Sequence, residues 1–368
     1  MNQIYNNNNV YVLGAGFSKD ANMPLTKDFL FRMREATEWL ETNQGSASIK
    51  HISDVFDFRL KAASAAYRVN INIEDIEQLF SLAAAKQSYD FNKAIVESIA
   101  ATLNYCEKTL VRKNIELSLS KEFAIKLPKS ILKAEVGYNT MSNLYSCDSY
   151  DFYVGNMLGI FRKKNVISNN TFLSFNYDTI LENCIWNLGY KVDYGLRGAN
   201  IPPELYNADT GIKVLKLHGS LNWKEKSGWG GLIIQAYRNY DDASESKGDR
   251  ILLPPTWQKS FSGPLQYVWE SAITAISKAT RLIIIGFSIP ETDIHFKYLL
   301  SSGLQDNISL REVLFVNPME DDEYSYKIKK IFHSSFLESG LVKHIKSTAT
   351  EFLKDYSQLD RISRRPDL

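Results

Sequence analysis

The apolar run Val10-Tyr11-Val12-Leu13 ends directly on Gly14-Ala15-Gly16-Phe17-Ser18, and a strand that stops on glycines restricts what the chain can build. Glycine has no Cβ and reaches positive φ, so backbone at such a strand end can approach a nucleotide pyrophosphate; the alternative is a plain tight turn. Two later segments, Ser174-Phe175-Asn176-Tyr177-Asp178 and Leu217-His218-Gly219, put polar groups at strand ends, where open α/β sheets carry their chemistry. Together they read as a nucleotide site with an Asn/Asp/His cluster.

Short apolar runs return at 171–175, 213–217, 251–253, 281–285 and 312–316. The runs at 281–285 and 313–316 are nearly continuous, the pattern of parallel strands covered on both faces. Helix-like spacing fills 25–40, 55–67, 73–85 and 91–111. In the third, Asn72 is the expected N-cap, and Ile73, Ile76, Phe80 and Ala83 share one face. Further helices are expected at 267–278 and 348–356. The expectation is an α/β protein: a Rossmann-like parallel sheet formed by 1–18 and 166–368, interrupted by a large helical insertion over 19–165. The acidic stretch 236–250 is expected to be an exposed, mobile loop.

At 368 residues and 44% hydrophobic content the chain can bury one large core or two smaller ones. Lys plus Arg is 43 and Asp plus Glu is 42, so no global field recruits nucleic acid or an anionic membrane, and direct nucleic-acid binding is not expected. Cys106, Cys147 and Cys184 are far apart and form no zinc-ligand spacing. No signal-peptide layout and no apolar run long enough to span a bilayer is present, so a cytoplasmic, membrane-free protein with reduced thiols is expected.

Gly14-x-Gly16 opens like a dinucleotide fingerprint, but Lys19 stands at the third glycine position, and the second strand with its ribose-binding acid is missing. An ordinary dehydrogenase is therefore disfavoured. Lone strand-end histidines are commonly structural, and Asn or Asp after a strand commonly makes a turn; His51, His295, His333 and His344 are read as surface or packing residues, with Asp293 as a helix cap beside His295. Trp223, Trp229 and Trp257 are read as core, the alternative being a wall stacking on a base.

The order of these motifs resembles the sirtuin-like superfamily, and within it the bacterial antiphage-defence NAD hydrolases. Gly14-Ala15-Gly16-Phe17-Ser18 resembles the family's Gly-Ala-Gly-x-Ser loop, Asn176-Tyr177-Asp178 its Asn-x-Asp segment and His218-Gly219 its catalytic His-Gly pair. Gly286-Phe287-Ser288 resembles its nucleotide-contacting Gly-x-Ser loop, and Asn317 the Asn closing the next strand. The chain departs from the zinc-containing deacylases: the paired cysteines are missing, Phe175 replaces a Gln, and no Phe-Arg pair follows Asn22-Met23-Pro24-Leu25.

The resemblance implies NAD+ as substrate without zinc or another metal. Catalysis would fall to Asn176, His218 and Asp178; cofactor binding would fall to Gly14, Ala15, Gly16, Phe17, Ser18, Gly286, Ser288 and Asn317. It implies a regulated, NAD-depleting effector of abortive infection, a homo-oligomer, with a HerA-type ATPase or an Argonaute-like protein as partner. A NAD-dependent protein deacylase and a non-catalytic NAD or ADP-ribose sensor are the alternatives.

Overall fold

The computed structural model describes residues 8–354 apart from 44, 86–87, 120–123, 125–132, 136–142, 162–169, 197–203, 229–230, 257–262, 264 and 291–293. Thirteen strands are described: β1 Asn9–Leu13, β2 Asn114–Leu119, β3 Lys133–Glu135, β4 Asn143–Asp148, β5 Asn170–Ser174, β6 Val192–Asp193, β7 Ile212–Lys216, β8 Gly219–Gly228, β9 Gly231–Ala236, β10 Arg250–Leu252, β11 Arg281–Ile285, β12 Glu312–Val316 and β13 Val342–Ile345. The helices are α1 Ala15–Ser18, α2 Phe29–Thr42, α3 Ser46–Ala66, α4 Ile76–Ala84, α5 Tyr89–Lys108, α6 Ser149–Leu158, α7 Ile180–Asn187, α8 Tyr240–Ser244, α9 Leu265–Ser277, α10 Ile294–Leu304, α11 Asp321–Lys329, α12 Ser334–Glu338 and α13 Ala349–Lys354.

Seven strands form one sheet in the order β13-β12-β11-β1-β5-β7-β6, and every pairing is parallel. The α/β, Rossmann-like expectation is what the chain adopts. β1, β11 and β12 are buried at every position, because helices cover both faces and the strands supply apolar side chains to each. Leu282, Ile283, Ile284 and Ile285 are fully buried, each worth about 1.5–3 kcal/mol in apolar surface removed from water. The chain leaves β1 toward β5 and β7 on one side, then returns to lay β11 and β12 on the other. The order therefore reverses between β1 and β11, the switch point where such sheets open a crevice at their C-terminal strand ends.

Two small antiparallel sheets accompany it, β10-β8-β9 and β2-β4-β3. The first corrects the reading of 251–253: this strand pairs with β8, not with the main sheet. The second lies within 19–165, so that stretch is not helical throughout. β2 alternates, Asn-Ile-Glu-Leu-Ser-Leu, a period-2 pattern too short to stand out beside four long helices.

Helix ends moved where capping chemistry decided. Asp75, not Asn72, caps α4, accepting from the backbone N–H of Glu77 at 2.8 Å and of Gln78 at 3.3 Å. Asn72 instead closes a turn on the Glu74 N–H at 3.0 Å, and the two residues compete for the same kind of donor. The face nevertheless packs: Ile76, Leu79, Phe80 and Ala83 are buried. The acidic stretch 236–250 contains α8, capped by the Asn239 side chain on the Asp242 N–H at 2.9 Å, with Tyr240 and Ala243 buried. Arg250, at its end, is buried and pairs with Glu97 at 3.1 Å, so this is structured chain and not a bare loop. All three cysteines are buried and free.

α5 is the spine of the helical part. It packs on α2, α3 and α4 and also reaches β8 and β10. Buried Ser98 and Thr102 donate to the carbonyls of Ala94 and Ser98, four residues back. On the main sheet, α6 packs against α7 and α13, and its buried Asn156 donates to the Leu353 carbonyl at 3.0 Å.

Gly286 has φ of +65°, and a Cβ there would lie 2.3 Å from the Phe17 nitrogen. Gly286→Ala is expected to cost about 2–4 kcal/mol, combining left-handed strain with backbone overlap. A thermal-melt comparison checks it, and an unchanged midpoint would show that the two loops do not pack this tightly.

Candidate active site

Three neighbouring strands of the main sheet deliver the polar residues. β5 ends into Phe175 and Asn176, β7 into Leu217 and His218, and β1 into Gly14. The ladder continues one step beyond the strands: the Phe175 N–H donates to the Leu13 carbonyl at 3.0 Å and the Leu217 N–H to the Ser174 carbonyl at 2.9 Å. Asn176 and His218 therefore emerge one residue after paired positions, on adjacent strands at the same end of the sheet.

The glycine loop packs tightly against the second strand-end loop. The Gly14 N–H donates to Ile285, the Gly16 N–H to Gly286 at 2.9 Å, and the Phe17 N–H back to Gly14. A Cβ on Gly14 would sit 2.6 Å from the Gly286 oxygen, and one on Gly16 2.8 Å from the Gly286 Cα. The missing side chains thus let two strand-end loops, 14–18 and 286–288, pack on each other across the switch point. Ala15 is exposed at the start of α1 and Phe17 is buried. Tyr150 of α6 holds the loop from below, donating to the Phe17 carbonyl at 2.9 Å.

Ser18 is 1% exposed and turns inward. Its hydroxyl donates to the Asp178 carboxylate at 3.2 Å and accepts from the Asn176 amide at 3.1 Å. The same amide nitrogen donates to the Gly14 carbonyl at 2.9 Å. Both Asn176 amide hydrogens are therefore committed inside the protein, and its carbonyl oxygen is what the side chain can offer a ligand. Asp178 also accepts from the Ile180 N–H at 3.1 Å, which fixes it at the start of α7. Burial pushes its pKa up, while Lys216, the Ile180 N–H and the Ser18 hydroxyl pull it back.

Beneath this set lies a buried ionic cluster that the motif pattern did not reveal. Lys216, 1% exposed, pairs with Glu182 at 3.1 Å and also donates to the Asp178 carbonyl. Burial raises the Glu182 pKa, with Lys216 opposing. The signal was present as a lysine inside the strand sequence Ile-Lys-Val-Leu-Lys, a charge at a position whose neighbours are all apolar.

His218 is 5% exposed. Its ring meets Phe175 edge-on at 5.0 Å and lies 6.1 Å from Tyr177. Phe175 also touches Phe287 at 4.8 Å and Phe296 at 5.8 Å. The residue that departs from the deacylase pattern is thus an apolar wall joining the imidazole to the second glycine loop. The backbone around His218 is anchored as well. Its carbonyl accepts from the Leu253 N–H at 2.8 Å, the Leu253 carbonyl from the Tyr177 hydroxyl at 2.6 Å, and the Leu217 carbonyl from the Trp269 indole at 2.9 Å.

The second loop is held by Asn317, whose amide donates to the Phe287 carbonyl at 3.2 Å and whose side-chain oxygen accepts from the Met319 N–H at 3.0 Å. The Tyr324 hydroxyl donates to the same Phe287 carbonyl at 2.6 Å, and Lys327 to the Ser288 carbonyl at 3.0 Å. Ser288 itself is exposed. Ile289 beside it has φ of +53°, a strained setting for a β-branched residue.

The structure brings the residues of 14–18, 176, 178 and 218 to one end of the sheet, with 286–288 and 317 beside them. His344 joins this region, its Nε2 3.0 Å from the Asn317 carbonyl oxygen and its Nδ1 2.8 Å from Asp321. Of the others, His333 caps α12, His51 lies in α3 and His295 contacts Trp269. Asp293 lies outside the described residues. Trp223 is fully buried against Tyr194, a core residue; Trp229 and Trp257 lie outside the described residues. No group of three potential metal ligands occurs among the described residues, and no described helix is long and apolar enough to cross a membrane.

Residues 170–337 match the family model of the SIR2-like domain, a span that includes Asn176, Asp178, His218, Gly286, Ser288 and Asn317. No curated protein matches the chain. Among solved structures, a Sir2 homologue–NAD complex is 12% identical, covering 96% of this chain and 90% of that chain at a TM-score of 0.41. A Sir2 enzyme structure concerned with mechanism and regulation is 13% identical, with 97% and 93% covered and a TM-score of 0.42. Sir2Tm bound to a propionylated peptide is 10% identical, with 96% and 93% covered and a TM-score of 0.37.

Lys216→Met removes the cation from beside Glu182 and is expected to cost about 3–5 kcal/mol, because it strands a buried carboxylate. Burial already holds the Glu182 pKa above its ordinary value, and the substitution raises it further. The folded state then keeps a proton that the unfolded chain releases, so the deficit grows as pH rises above the ordinary carboxylate range. Denaturant melts at pH 5 and pH 8 read this out. A Lys216→Met/Glu182→Gln double variant should recover most of the loss, and failure to do so would place the cost outside the Lys216–Glu182 pair.

Proposed function

We propose that this chain is an NAD+ glycohydrolase that cleaves the nicotinamide–ribose bond to nicotinamide and ADP-ribose. The observation that carries the reading is the hydrogen-bonded set Asn176–Ser18–Asp178 emerging beside His218 at adjacent strand ends. It lies at a switch point whose two loops pack through glycine backbone. The SIR2-like match over 170–337 supports the same class.

NAD+ brings the leaving group: the glycosidic bond breaks with its electron pair on the nicotinamide nitrogen, and positive charge develops on the ribose. The chain must then orient, stabilise charge and deliver water. Asn176, its amide hydrogens fixed by Gly14 and Ser18, presents a rigid carbonyl oxygen toward a ribose hydroxyl or the attacking water. Asp178, buried and held by Ser18, holds the nicotinamide carboxamide. His218 takes the proton from the water or a ribose hydroxyl, acting as the general base beside the reacting bond. The aromatic wall of Phe175 and Phe287 excludes bulk water from the imidazole's flank. Gly14, Ala15, Gly16, Phe17, Ser18, Gly286, Ser288 and Asn317 frame the nucleotide.

An enzyme of this kind depletes a cofactor the cell needs, so it is silent until switched on. We assign it to antiphage defence by abortive infection in the cytoplasm, with control by self-assembly or by a HerA-type ATPase or Argonaute-like partner.

Product analysis of NAD+ incubated with the chain at several protein concentrations tests the reading. Wild type should release nicotinamide and ADP-ribose; Asn176→Ala and His218→Ala should lower kcat by about 10²–10⁴-fold with smaller effects on binding. Intact NAD+ with the assembled protein would favour a sensor, and O-acyl-ADP-ribose formed with an acylated peptide would favour a deacylase.

A further inference from the structure

Among the half-buried ionisable groups, one on the helical part bonds to the segment carrying Asn176 and Asp178 without belonging to any motif. Glu107 stands in the last turn of α5. One carboxylate oxygen accepts from the Thr179 backbone N–H at 2.7 Å and from its hydroxyl at 3.0 Å, and the other oxygen lies 3.1 Å from the same hydroxyl. Thr179 directly follows Asp178 and is fully buried. This is a long-range tie, 72 residues in sequence, between the far end of a 20-residue helix and the segment carrying Asn176 and Asp178.

The same end of α5 grips the other side of the site. The Asn22 amide, from the turn after the glycine loop, donates to the Cys106 carbonyl at 2.9 Å and to the Thr109 hydroxyl at 3.1 Å. Residues 106–109 therefore bridge the two segments that supply Ser18 and Asp178, which bond to each other.

A carboxylate is a costly way to make such a bridge. Burial pushes the Glu107 pKa up to about 7, with Asp178 adding to the rise and the Thr179 donors and Lys216 opposing it. The acceptor oxygens that hold the Thr179 N–H and hydroxyl fix its position, and placement matters where a misplacement of about 1 Å costs about 10²-fold in rate.

We propose that Glu107 is a positioning residue: from α5 it clamps Thr179 and thereby sets the placement of Asn176 and Asp178, so that the helical part governs the geometry of the site. The inference rests on the NAD-cleaving reading for its kinetic consequence but not for its structural one. Any displacement of α5 is then transmitted to the Asn176–Asp178 segment through this carboxylate, and to the glycine-loop side through Asn22.

The test uses the full chain. Glu107→Ala should lower kcat for NAD+ cleavage at least about tenfold while KM stays within about threefold. Glu107→Gln, which keeps an acceptor for the Thr179 N–H, should restore kcat to within about threefold of wild type. Thr179→Val, which keeps the backbone donor and loses the hydroxyl, should fall between them, and it carries the test if Glu107→Ala does not fold. Independently of activity, hydrogen–deuterium exchange of the peptide spanning 176–180 should be faster in Glu107→Ala than in wild type or Glu107→Gln. An unchanged kcat in the folded Ala and Val variants, or a loss that only tracks the folded fraction, overturns the proposal. If wild type leaves NAD+ intact, the functional reading fails on its own; unchanged exchange across 176–180 in the variants would then overturn the clamp, and faster exchange would uphold it.

Discussion

The close approach of two backbone loops at the centre of the main sheet is the constraint on which the site depends. Gly14, Gly16 and Gly286 meet with no room for a Cβ between them, and the Gly16 N–H to Gly286 carbonyl bond joins the ends of β1 and β11. Because β1 and β11 flank the point where strand order reverses, this contact sets how closely the strand ends approach there. A larger residue at any of the three would force the strand ends apart, and Phe17, Ser18 and Phe287 would move with them.

From that contact the remaining polar groups are placed in sequence. Ser18 follows the first loop and bonds to Asp178; Asn176 bonds to both Ser18 and Gly14. Phe175 reaches from the base of Asn176 to His218 on one side and Phe287 on the other. The arrangement is over-determined, since most of its members have at least two partners, which is how a site resists thermal blurring of its geometry. The buried Lys216–Glu182 pair and Glu107 form a polar floor under it.

Much of this was legible because central parallel strands carry an unambiguous signal. Arg281–Ile285 and Glu312–Val316 have the expected limits, since a run of apolar β-branched residues bounded by polar ones has few other uses. The strand-end positions of Asn176 and His218 followed from the same pattern. What was hidden depended on distant partners. Nothing local distinguishes Asp75 from Asn72 as a cap, or marks Glu107 as a ligand of Thr179 rather than a solvated helix residue. The glycines illustrate the limit well: sequence shows that close approach is needed, but only the fold shows that the approaching group is Gly286. The stretch 236–250 misled through its composition, because α8 buries Tyr240 while its acids face outward, and a short amphipathic turn reads as a loop when charges dominate.

The three thiols give the molecule a quiet redox character. Cys106, Cys147 and Cys184 are each enclosed; burial pushes Cys106 up to about 11 and Cys184 also upward. Electrophiles and mild oxidants react with thiolates, so the closed molecule shows them almost no reactive sulfur. Cys106 adjoins Glu107 at the clamp end of α5, and Cys184 lies in the helix that begins after Thr179. Alkylation at these two sulfurs would therefore report on loosening of the helical part from the sheet, an internal gauge already written into the chain.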